Sequence, residues 1–110
     1  MRLGFALLAL SALPAFAHIA FQGATVADGA HVKAPGEVRL QFSENLEPGF
    51  SSAVLSDAAG KQVAVSRRAG GRAITLQPGG LKPGAYTVSW RGMGHNRHRI
   101  KGHIRFNVVP

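Results

Sequence analysis

Apolar and polar residues alternate with period 2 along much of the chain beyond its N-terminal segment. Val38, Leu40 and Phe42 alternate with Glu37, Arg39 and Gln41, which puts three apolar side chains on one face of a strand and three polar ones on the other. The same alternation returns at Ala53 to Leu55, Gln62 to Val65, Ala73 to Leu76, Tyr86 to Trp90 and Ile104 to Val108. Turn residues separate these runs: Asp28-Gly29, Pro35-Gly36, Pro48-Gly49, Gly60, Gly70-Gly71, Pro78-Gly79-Gly80 and Pro83-Gly84 offer the positive or fixed φ that tight turns need. Their spacing is close to the ~8–12 residues typical of sandwiches and barrels. No stretch of helical periodicity is long enough to compete. The pattern predicts an all-β fold, a small Greek-key β-sandwich of about seven short strands. Gly70-Gly71 is the expected exposed tip between two of them, and Tyr86 and Trp90 are expected in the core.

The N-terminal segment follows another logic. Met1-Arg2 gives a positive start, Leu3 to Leu13 an apolar run, and Ala15-Phe16-Ala17 the small-x-small form cut by signal peptidase. The run is shorter than the about 20 apolar residues a membrane-spanning helix needs. Residues 1–17 therefore read as a cleavable signal peptide, and 18–110 as the mature domain. Its 110 − 17 = 93 residues suffice for one modest core.

Charge and cysteine content narrow the function classes. Removing Arg2 takes the formal charge from +8 to +7, with cations concentrated at Arg67-Arg68, Arg72 and Arg91 to Arg105. In an exported protein this points away from nucleic acid and toward anionic lipid headgroups or an acidic partner, or else to a merely solvated basic face. The chain has no cysteine, which excludes disulfides and thiolate metal sites. Carboxylates are few, no G-x-S-x-G element occurs and no glycine-rich loop precedes a helix, so nothing argues for an enzyme.

Histidine is the exception. His18 becomes the first residue after the cut, and its α-amine and ring Nδ1 can then hold one metal ion in a six-membered chelate. His95 and His98 share the segment Gly94-His95-Asn96-Arg97-His98, between the Trp90 and Ile104 runs, where a hairpin loop is expected. The loop could bring a further nitrogen to His18, or its histidines could be ordinary loop residues among arginines. His31 and His103 are expected to be surface residues. Neutral nitrogen donors suit late first-row divalent ions, Cu(II) above all.

Several segments then resemble the CopC-type periplasmic copper-binding proteins over essentially the whole mature chain. They are His18 after the cleavage site, Phe42-Ser43-Glu44-Asn45-Leu46, Leu81 to Arg91, and His98 followed by Gly102 and Phe106-Asn107-Val108. The resemblance implies a Greek-key sandwich of the immunoglobulin-like or cupredoxin-like kind. It also implies one Cu(II) held by the amine and ring of the N-terminal histidine, an aspartate, and a histidine two residues later. Here the usual Ser-x-Asp-x-His-Pro reads Gly94-His95-Asn96-Arg97-His98-Arg99, so the aspartate has become Asn96.

Losing the anionic ligand, with Arg97 and Arg99 alongside, weakens the expected affinity. At an effective dielectric of about 20, unit charges ~8 Å apart repel by roughly 2 kcal/mol before screening. His95 is a candidate replacement ligand. Glu44, at a position near the copper end in the family, is a candidate source of the missing negative charge, or else a turn carboxylate. A Cu(I) thioether site is not expected, since Met1 and Met93 are the only methionines.

The expected function is that of a non-enzymatic, monomeric periplasmic protein carrying or sequestering Cu(II) in copper homeostasis and resistance. It would exchange copper with a copper-transporting membrane protein or another periplasmic copper protein. The alternatives are a copper-dependent oxidative enzyme and a metal-site-degenerate family member that docks an acidic partner through its basic face.

Overall fold

The computed structural model describes residues 18–110; the signal-peptide reading of residues 1–17 lies outside them. Among the described residues nine strands form: β1 (Phe21–Ala24), β2 (His31–Val32), β3 (Val38–Phe42), β4 (Ser52–Asp57), β5 (Gln62–Val63), β6 (Val65–Gly70), β7 (Ala73–Pro78), β8 (Gly84–Met93) and β9 (Arg99–Val108). Two of them, β2 and β5, are two residues long, which leaves seven longer ones, the number expected, although β1 and most of β6 fall outside the alternating runs. The run expected at Gln62 to Val65 splits, with Ala64 between β5 and β6.

Two sheets pack face to face, one ordered β1-β3-β7-β6 and the other β2-β9-β8-β4-β5. All pairings are antiparallel except β2 with β9. Val38, Leu40 and Phe42 from one sheet and Leu55, Val88 and Phe106 from the other are fully buried, while their polar neighbours Arg39 and Gln41 face out. Period-2 patterning thus sets which face each strand buries, and burial of those faces drives the sheets together.

Two features of the β8–β9 hairpin fix its place on the core. The Tyr86 hydroxyl donates to the Lys82 carbonyl at 2.7 Å, tying the start of β8 to the turn before it. Further along, the Trp90 indole packs on Phe21 at a tilt of 30° (ring centroids 4.3 Å) and meets Phe42 edge-on. Trp90 lies opposite Gly102 in register, and a Cβ at Gly102 would come within 2.6 Å of the indole. Glycine there lets the ring lie flat against the neighbouring strand.

Candidate metal centre

His18 is positioned by the residues that follow it. Ile19 is buried in the core. Ala20 exchanges two hydrogen bonds with Ser43: its amide donates to Ser43 Oγ at 2.8 Å, and the Ser43 amide donates to the Ala20 carbonyl at 2.9 Å. The buried Ile19 and the two Ser43 hydrogen bonds together fasten this segment to the one that carries Glu44. A bulge in β1, with Gly23 at φ 140°, follows directly.

His98 is positioned by the β8–β9 turn. The Arg97 amide donates to the Gly94 carbonyl at 2.8 Å and the Gly94 amide to the His98 carbonyl at 3.0 Å, with Arg97 itself at φ 70°. A tight turn closed by a left-handed residue is one of the common short hairpin loops. The loop is held against the Glu44 segment by a bridge between Leu46 and Gly94 and by the Glu47 amide donating to the Met93 carbonyl at 2.8 Å.

These two supports bring His18 and His98, 80 positions apart, into contact. Their Nδ1 atoms are 3.0 Å apart and their rings stack with centroids at 4.5 Å. Asn96 reaches the same point: its Nδ2 is 3.3 Å from His98 Nδ1, and its Oδ1 accepts from the His98 amide at 3.3 Å. Two nitrogens bound at right angles to one ion, each at the about 2.0–2.1 Å usual for imidazole on zinc, would be about 2.9 Å apart. The observed pair fits that spacing before any ion is considered. Both rings are exposed at the lip of the sandwich, so an ion can enter and leave.

Glu44 is half-buried, and its carboxylate lies over Gly94. A Cβ at Gly94 would stand 2.5 Å from Glu44 Oε1 and 3.3 Å from Asn96 Oδ1. The missing side chain therefore makes room for a carboxylate beside Asn96.

His95 is placed elsewhere. It lines a cleft with Glu47, Phe50, Met93, Arg97 and Arg99. Among the described residues no three His, Cys, Asp or Glu side chains gather into a metal-binding group. The structure thus unites two imidazoles and one amide, with a carboxylate nearby. His31 is exposed on β2 and His103 on β9, as expected of surface residues. Sequence reading did not anticipate Ile19 and Ser43 as the anchors of the site, although Ser43 sits in a segment it singled out.

Comparison with known proteins points to one family. The CopC domain family matches residues 21–109. Copper resistance protein C of Pseudomonas syringae pv. tomato is 32% identical over 102 residues, covering 84% of this chain and 81% of that protein. Protein YobA of Escherichia coli (strain K12) is 33% identical over 99 residues, covering 86% and 79%. Among solved structures, CopC from Methylosinus trichosporium OB3b superposes with a TM-score of 0.78 at 31% identity, over 84% of this chain and 95% of that one. PcoC, a methionine-rich copper resistance protein from Escherichia coli, gives 0.76 at 30% identity, over 84% and 100%. With residues 21–109 matched by the family model and the fold shared with solved members, the chain belongs to the CopC family of copper resistance proteins.

Proposed function

We propose that the chain is exported, cut after Ala17, and carries or sequesters one Cu(II) ion in the periplasm without catalysing a reaction. The observation that carries this reading is the 3.0 Å approach of the His18 and His98 Nδ1 atoms. In the processed chain the His18 α-amine joins its own Nδ1 as a chelate, and His98 Nδ1 supplies a third nitrogen. Asn96 or water completes the set, and His95 could replace them only if the loop rearranges. Cu(II) suits such a nitrogen-rich set. Glu44 supplies negative charge close to the ligands without being one of them.

The relatives named as copper resistance proteins support the choice of metal. The methionine-rich description belongs to PcoC; here Met93 is buried at the end of β8, and no thioether cluster for Cu(I) is proposed. Copper would be exchanged with a copper-transporting membrane protein or another periplasmic copper protein.

The test is a Cu(II) titration followed by electron paramagnetic resonance. It compares protein beginning at His18 with protein carrying one additional residue before it. One equivalent bound tightly in a tetragonal, nitrogen-rich environment, lost on extension, is the expected result. Binding that ignores the extension would show that the amine is no ligand and overturn the reading.

A further inference from the structure

We infer that the outward face of β8 and β9, with Phe50 at its edge, docks on an anionic phospholipid surface. Strand β9 exposes Arg99, Lys101, His103 and Arg105 at alternate positions, all on the side away from the core. At about 6.8 Å per two residues they form a row roughly 20 Å long. Arg91 on β8 stands directly opposite Lys101, which places like charges side by side on the same face. The ion pair found among the described residues, Arg39 with Glu37, belongs to the other sheet. The shallow cleft beside Phe50 that these cations border contains no carboxylate.

Phe50 is the large hydrophobic residue left exposed among the described residues, 61% accessible on the short 3-10 turn Pro48–Phe50. Arg91, Arg99 and Lys101 flank it on one side. Arg67 and Arg68 line the cleft on its other side. Glu47 shares a third cleft with Phe50, Arg97 and Arg99, so cations outnumber carboxylates around the ring. An aromatic ring flanked mainly by cations matches a bilayer surface, where headgroup phosphates attract the cations and the ring settles at headgroup depth.

The shape selects this partner over others. Arg91, Arg99 and Lys101 border one cleft, but the row continues past it to His103 and Arg105, further than a pocket for one small anion would need. A protein partner would call for a broad apolar centre, and Phe50 alone does not make one. A plane of anionic headgroups meets the whole row at once.

The test is co-sedimentation of metal-free protein beginning at His18, which contains every described strand. The vesicles are phosphatidylcholine alone, or phosphatidylcholine with a third phosphatidylglycerol. Binding is expected only to the anionic vesicles and should fall as salt is raised. Arg91→Glu with Lys101→Glu should lower partitioning by at least about 25-fold, taking roughly fivefold per cation lost. Phe50→Ala should lower it several-fold. Lys61→Glu with Lys82→Glu makes the same charge change off this face and controls for net charge. Circular dichroism verifies that each variant is folded. Absence of binding to anionic vesicles at low salt, or equal losses in the two charge-reversed pairs, would overturn the inference.

Discussion

Two hairpin tips, one in each sheet, solve the same turn problem with different residues. Between β6 and β7 the left-handed position is filled by Gly71 at φ 57°, where a Cβ would meet nothing within 4 Å. Between β8 and β9 the corresponding position is Arg97 at φ 70°, flanked by Asn96 and His98. Glycine adopts that conformation freely, whereas a side chain there costs about 1–2 kcal/mol. The first tip is built to turn the chain. The second accepts strain in the loop that holds Asn96 against His98, and locally inconsistent choices of this kind tend to mark working sites.

Substitutions can separate the two roles. His98→Ala removes a proposed ligand and touches no core contact. It should weaken Cu(II) binding by at least about 100-fold, beyond the 10–100-fold typical of losing a group that only orients a ligand. Thermal unfolding of the metal-free protein should scarcely change, so calorimetry alongside the titration shows whether the second tip serves binding alone.

Asn96→Asp comes next. It restores an anionic oxygen beside His98 and should tighten Cu(II) binding by about 10–100-fold, on the scale of roughly 2 kcal/mol for one nearby charge. Competition against a chelator of known strength reads this directly, and unchanged affinity would mean that Glu44 already supplies all the charge the site can use.

The smallest effects test the turns themselves. Arg97→Gly should stabilise the metal-free protein by about 1 kcal/mol, and Gly71→Ala should destabilise it by a similar amount. Denaturant midpoints measure both. Equal and opposite shifts would show that strain, and not the identity of the loop, separates the tips.

The strands that were legible from sequence are those with uninterrupted alternation, because period 2 and burial are the same fact seen twice. Phe21–Ala24 was less legible: its bulge at Gly23 breaks the alternation, and its pairing with β3 is a long-range choice. His31–Val32 is too short to carry a pattern and exists because β9 offers it an edge. At the site, the types of His18, His98 and Asn96 were readable, as was the hairpin that carries two of them. Their convergence depends on the burial of Ile19 and on the Ala20–Ser43 hydrogen bonds, which join segments distant in sequence. The turn of His95 toward Glu47 and Phe50 follows from its place one residue after Gly94 in a tight loop, and spacing alone could not give it. The exposure of Phe50 was equally hidden, since an apolar residue after Pro-Gly reads as core or surface alike.

Trp90, clasped between Phe21 and Gly102, is the one tryptophan in the chain. Its fluorescence, excited at wavelengths beyond the absorption of Tyr86, therefore comes from a single ring packed on Phe21, three residues from His18. The protein carries an intrinsic optical reporter at the end of the sandwich where the histidines meet, so events there can be followed by light without attaching a dye.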